Sequence, residues 1–176
     1  MGCAVAMTKN KKRAAACVIA ACIAAPAEGL REYWYYCPAG VVSVCYGDTK
    51  DVDKTKHYTP EECMAKLQGE MSKTVQLVTE CLPESATVNQ IAAMSDLGYN
   101  AGVGVICSPK MSTLARKAQA GDMIGACNQI LRWDKAHVAG VAVALPGLTK
   151  RRQVDWKICL LPDAQPIPQE WMEALK

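Results

Sequence analysis

Histidine is scarce in this chain, and the spacings that hold metals are missing. Among 176 residues there are two histidines, His57 and His137, and no Cys-x-x-Cys pair, so no metal centre or other cofactor is expected. Net charge is small too. Twenty Lys and Arg against 17 Asp and Glu give +3, with no basic stripe interleaved with aromatics, which argues against a nucleic-acid partner. Such a balance mildly favours an anionic surface such as a bacterial wall or membrane. No internal repeat or low-complexity linker divides the chain. No apolar run reaches the ~20 residues of a stable bilayer-spanning helix. What remains is ordinary globular composition, 51% hydrophobic and 21% charged, long enough for one domain, or two small lobes, with a sizeable core.

Cysteine, by contrast, is abundant. Ten in a chain of this size point to structural disulfides, hence an oxidising compartment and export. The N-terminus offers an export signal. Lys9, Lys11, Lys12 and Arg13 form a basic stretch ahead of AAACVIAACIAAPA, Ala14 to Ala27. Those 14 residues are short for a span, and alanine makes them only weakly hydrophobic. Three readings stand side by side. Ala25-Pro26-Ala27 can be a cleavage site that leaves Glu28 as the new N-terminus. Ile19-Ala20-Ala21-Cys22 can be a lipoprotein box with lipid on Cys22. Or the segment is a weak, uncleaved anchor that later folds as a helix. Met7 is an alternative start, which would remove Cys3.

EGLREYWYYCPAGVVSVCYGDT, Glu28 to Thr49, reads as a carboxylate at a helix end followed by a hairpin of short apolar runs broken by glycines. Thr59-Pro60-Glu61-Glu62 is a capping-box helix start. Met64, Leu67, Met71, Val75 and Val78 then recur at helical spacing, so a long amphipathic helix is predicted to about Glu80. Further helices are predicted near Val88–Leu97, Ser112–Ala120, Met123–Trp133 and Leu148–Leu160, with breaks at Gly121-Asp122 and Pro146-Gly147. The expected fold class is α+β, mainly α. A small hairpin lobe and an all-helical second lobe are joined by a long helix, with a cleft suited to an extended polymer.

EGLREYWY, YGDT, TPEEC, LGYNAG, STLARKAQAGD, GACNQILRW and LPGLTKRRQVDWKICL, in that order, resemble the phage-type lysozymes, or endolysins, of glycoside hydrolase family twenty-four. The likeness covers roughly Glu28 to Leu160 and is strongest to the signal-anchor-release branch, whose uncleaved N-terminal anchor becomes the catalytic helix. It implies an N-terminal signal-anchor segment (residues 1–27), a lysozyme catalytic domain (28–162) and a C-terminal tail (163–176). It also implies hydrolysis of the bond between N-acetylmuramic acid and N-acetylglucosamine by a monomer. That monomer would be exported to the host periplasm and first tethered to the inner membrane.

The family's site is a glutamate, an aspartate nine residues on and a threonine six beyond; this chain carries Glu28, Cys37 and Ser43 there. Glu28 maps onto the general acid, the bland alternative being a solvated helix-end charge. Cys37 departs from the pattern. It is a working thiol, a disulfide partner or the mark of an inactive enzyme; as thiolate it could serve as base or nucleophile. Ser43 keeps a hydroxyl able to hold a water. Asn100 and Tyr46 are candidates for substrate contact, Tyr46 also shaping the turn with Gly47 and Thr49. Arg151 and Arg152 are read as a solvated helix face, with peptidoglycan contact as the alternative. Trp133 is read as core. Of Tyr33, Trp34, Tyr35 and Tyr36, some are expected in the core and one or two beside the cleft.

By the same resemblance, Cys45–Cys63 ties the hairpin to the long helix and Cys127–Cys159 ties two second-lobe helices, with Cys81–Cys107 a third pair. Cys17 and Cys22 then become candidates for a redox switch that uncages Cys37. The branch's usual caging position is Leu30 here, which leaves Cys45 as a candidate cage. Two other activities stay open on these residues: an inactive wall-binding or regulatory protein on the same fold, or a transglycosylase, which needs only the glutamate.

Overall fold

The computed structural model describes residues 7–37, 40–138, 140–163 and 165–175, so Cys3 and the Pro38-Ala39 pair after Cys37 lie outside the described residues. Helix α1 (Lys9–Glu28) starts where the Thr8 hydroxyl accepts from the Lys11 N–H, and stops at Gly29. Its inner face is almost entirely alanine: Ala16, Ala20, Ala21, Ala24 and Ala25 are buried together with Ile23. Residues this small let backbones approach closely, and α1 lies against α2 (Pro60–Cys81) and α3 (Val88–Ala101). The stretch read as a weak anchor is thus core here, in one helix with Glu28. No described helix is long and apolar enough to cross a membrane.

Strands β1 (Arg31–Tyr36) and β2 (Val42–Cys45) form an antiparallel hairpin, with Tyr35 opposite Ser43 and Arg31 opposite Cys45. Its own small core holds Val44, Cys45, Tyr58 and Cys63, and Tyr46 packs against both this core and the main one. The capping box of α2 is present, Thr59 and Glu62 each satisfying the other's backbone N–H. This helix buries Leu67, Met71, Val75 and Val78, one face at spacings of four, four and three. Helix α3 is capped the same way by Thr87 and Gln90, and the Asp163 carboxylate adds bonds to the Val88 and Asn89 N–H groups. Nearly all of α3 is buried, Asp96 included.

Helices α4 (Gly104–Cys107), α5 (Thr113–Gln119) and α6 (Met123–Gln129) follow. The segment expected to be helical through Trp133 instead tightens to a 3₁₀ turn at Ile130–Arg132, leaving Trp133 half-buried against the core. The second lobe is not all-helical. Strands β3 (Lys135–Val138) and β4 (Val141–Ala144) make a second hairpin, with Val138 opposite Val141. Val141 and Val143 are exposed, so this apolar alternation serves strand pairing rather than burial. Helix α7 (Pro146–Leu160) begins earlier than expected because Pro146 fits a first helical turn. In the tail, α8 (Gln169–Glu173) brings Trp171, Met172 and Leu175 against the core.

Three disulfides join these pieces: Cys45–Cys63 binds hairpin to α2, Cys81–Cys107 binds α2 to α4, and Cys127–Cys159 binds α6 to α7. The four aromatics of β1 are a correction. None lies in the core; Tyr33 and Tyr36 are exposed, and Lys54 Nζ stands 4.9 Å from the Trp34 ring. A strand with one neighbour and no layer beneath it cannot bury four large rings.

The alanine contact gives a direct test. Ala20→Leu inserts three carbons at a fully buried site and is expected to cost ~1–3 kcal/mol in urea unfolding. Val18→Leu, on the exposed face of the same helix, should stay within ~0.5 kcal/mol.

Candidate active site

Glu28 is the last residue of α1, and the chain must turn at once into β1. Gly29 makes the turn with φ +74°, a conformation that side chains strain to adopt, while its N–H bonds to the Ala25 carbonyl. The Glu28 carboxyl therefore sits at a fixed helix end, with its side chain 30% exposed. It opens on a pocket of about 400 Å³ whose wall includes Asn100 from the end of α3, Lys150 and Arg151 from α7, and Leu175 from the tail.

Behind Glu28 lies a buried chain of charge. Arg151 donates from Nη1 to Glu28 Oε1 at 2.9 Å. Its Nε and Nη2 grip the two oxygens of Asp96, each at 2.8 Å. Arg152 donates to Asp96 at 3.1 Å, and its Nε lies 3.0 Å from Asp155 Oδ2. That last contact is an ion pair by distance but is not aligned for a hydrogen bond, which leaves both Asp155 oxygens without a partner among the described residues. Asp96, Arg152 and Asp155 have no exposure at all. Burial works against the Arg151 charge, but the bonds and attraction of Asp96, then of Glu28, outweigh it and raise its pKa. Asp155 is pushed well above the usual carboxylate range by burial first and the neighbouring Asp96 charge second, against the pull of Arg152. As a protonated acid it can donate to Asp96, which supplies the missing partner.

Arg151 and Arg152 are therefore not a solvated face, and the expectation built on their charge was wrong. Sequence reasoning also passed over Asp96 and Asp155. The signal was present: Arg151, Val154, Asp155 and Ile158 fall at i, i+3, i+4 and i+7, one helix face, and all four are buried. Charges on an apolar face at helical spacing mark a buried ion network.

The structure brings Glu28 and Asn100 into one pocket. Cys37 lies on the hairpin just after β1, where its N–H donates to the Val41 carbonyl and its carbonyl accepts from the Gly40 N–H. Ser43 is on β2, 1% exposed, its hydroxyl donating to the Val41 carbonyl at 3.2 Å. Tyr46 stands at the seam of the two cores, outside the Glu28 pocket. No metal-binding cluster occurs among the described residues.

The family model described as Phage lysozyme matches residues 25–155, an interval that contains Glu28, the hairpin and the buried charges up to Asp155. The chain belongs to the phage lysozyme family. It is accordingly a glycosidase, a peptidoglycan-lytic endolysin. An endolysin of Acyrthosiphon pisum secondary endosymbiont phage 1 is 34% identical over 128 residues, covering 73% of this chain and 86% of that protein. A SAR-endolysin of Bacteriophage PS119 is 34% identical over 134 residues, 76% of each chain. Among solved structures, the endolysin from Escherichia coli O157:H7 phage FAHEc1 superposes with a TM-score of 0.67 at 25% identity, covering 94% of this chain and 98% of that one. The muramidase domain of SpmX from Asticaccaulis excentricus shares the fold, with a TM-score of 0.72 at 24% identity over 81% of this chain and 95% of that one.

The protonated Asp155 of this lysozyme has a pH signature. Its folded pKa is raised, so its contribution is full below the ordinary carboxylate pKa of ~3.9 and is lost as pH rises toward the folded value. Asp155→Asn keeps a donor and removes the titration. Urea unfolding at pH 5 and pH 7 should show wild type losing stability relative to the variant as pH rises, by up to ~1.4 kcal/mol per pH unit. An equal difference at both pH values would mean that Asp155 is ionised in the fold.

Proposed function

We propose that Glu28 is the general acid of this lysozyme and that Cys37 takes the place of the family's second carboxylate. The observation that carries the reading is Glu28 itself, held at a rigid helix end by Arg151 with its carboxyl open to a pocket that Asn100 shares. Cleaving the bond between N-acetylmuramic acid and N-acetylglucosamine requires a proton on the departing oxygen, and Glu28 supplies it. Positive charge then develops on the sugar. Cys37 on the hairpin, as thiolate, stabilises that charge, activates a water or attacks the carbon. Asn100 and Tyr46 contact substrate. Ser43, buried with its hydroxyl on the Val41 carbonyl, orders the strand behind Cys37 and turns toward a water only if that bond opens.

Export to the host periplasm, a first tether in the inner membrane and action as a monomer belong to the same reading. Similarity to SAR-endolysins such as that of phage PS119 supports it, as does the unbroken helix from the basic segment to Glu28. Cleavage after Ala27 would discard the alanine face of α1 that fills the core. Cys17 and Cys22 lie on α1, one half-buried and one exposed, and neither is in a disulfide. They are the exchange partners of a switch in which Cys45 cages Cys37 before pairing with Cys63.

Clearing of permeabilised Gram-negative cells tests the site. Glu28→Gln should lower lysis ~10²-fold or more with folding intact, and Cys37→Ser should abolish it. Near-normal lysis by Glu28→Gln would remove the mechanism. Mass spectrometry of the digested wall separates a hydrolysed product from the anhydro-muramic product of a transglycosylase.

The switch has its own test. Cys17→Ser combined with Cys22→Ser should leave released protein that lyses only after mild reductant. Wild-type lysis by that double variant without reductant would make Cys37 constitutively active.

A further inference from the structure

Glu28 must hold a proton to act, yet it stands 2.9 Å from a guanidinium, and a cation at that distance favours the ionised form. Nothing in the assigned roles resolves this conflict, but the buried carboxylate on the far edge of the same guanidinium does. We propose that Asp96 is a positioning residue for the glycosidase reaction: it grips Arg151 by Nε and Nη2, aims the remaining Nη1 at Glu28, and offsets the charge that would otherwise keep Glu28 ionised. The inference rests on the reading of Glu28 as the acid.

The geometry is specific. A guanidinium is planar with its donors in a fixed fork, so two bonds of 2.8 Å to one carboxylate leave no freedom in where Nη1 points. Asp96 has no solvent exposure whereas Glu28 is partly open, so the Asp96 charge acts through a poorly screening interior. Glu28 is faced by Asp96 and Tyr99 from α3 and by Lys150 and Arg151 from α7, with Arg152 and Asp155 behind. In this set, Arg151 is the cation bonded to Glu28, and Asp96 is the carboxylate bonded to that cation. Arg152 donates to Asp96 from the other side at 3.1 Å. Removing Asp96 would leave Glu28 as the one carboxylate bonded to Arg151. A thiolate at Cys37 is gained as pH rises, so the loss of activity on the alkaline side reports the acid.

The test is the pH profile of lysis in Asp96→Asn, which keeps the shape and removes the charge. The alkaline midpoint should move to lower pH by about one unit, with about tenfold less lysis on the alkaline limb and a smaller loss at acidic pH. A midpoint that stays in place or rises, in folded protein, overturns the proposal. Ile158→Val, a buried change elsewhere on α7, should lower the thermal midpoint without moving the limb, and a limb that moves with it would show the profile to be tracking stability. If Asp96→Asn does not fold, Arg151→Gln alone and combined with Asp96→Asn decide. Arg151→Gln should lie above wild type, and the double variant below Arg151→Gln alone, because the Asp96 charge still reaches Glu28 through the interior; coincidence of the two, or a wild-type midpoint for Arg151→Gln, overturns the proposal. Lysis that survives Glu28→Gln would instead remove the acid assignment, whatever the Asp96 variants do.

Discussion

A guanidinium taken out of water must have its charge and its donors answered by the protein around it. Arg151, almost fully buried, is answered on one edge by Asp96 and on the other by Glu28. The two carboxylates come from α3 and α1, and the cation from α7, so the contact defines how these helices meet. Burying such a group is rarely a gain over well-packed hydrophobic residues, whereas removing one member strands the others in a medium that cannot solvate them. The network thus works mainly as a constraint. It permits one arrangement of α1, α3 and α7, and in that arrangement the end of α1 presents the Glu28 carboxyl to its pocket.

The same helix end is governed from the other direction by small residues. Alanine lets α1 sit close to α3, and in return gives α1 little hydrophobicity of its own. Both facts belong to one choice of residue. A richer apolar helix would hold a membrane better and fit the protein worse; a polar one would do neither. Weak hydrophobicity and close packing are compatible only in a helix that spends its folded life between α2 and α3. Each of the three disulfides joins one of these helices to the hairpin or to a shorter helix, Cys127–Cys159 doing so within the main core.

Much of the fold was legible because its signals are local. Thr59 with Glu62 announces the start of α2, and the spacing of Leu67, Met71, Val75 and Val78 announces its buried face. The family motifs placed Glu28 and the hairpin. The β3–β4 hairpin escaped notice because alternating Val and Ala with no core beneath look like a connector. The Arg151 network escaped for a different reason. Charge was taken as a sign of exposure, and only the period of the helix contradicts that at Arg151 and Asp155. Asp96 follows Ser95 in a segment otherwise rich in apolar residues, Ile91 to Leu97, and carried no other warning. Pairwise compensation between α3 and α7, 55 residues apart in sequence, has no local pattern.

Asp163 carries a further meaning. It lies beyond α7, near the end of the chain, yet its carboxylate satisfies the first backbone donors of α3, the helix that holds Asp96. The first turn of α3 is thus held from two sides, by the Thr87–Gln90 box within the helix itself and by Asp163 from the segment beyond α7. The placement of Asp96 therefore draws on chain that lies on both sides of α7 in sequence, and a change at Asp163 would be felt at the start of the helix that carries it.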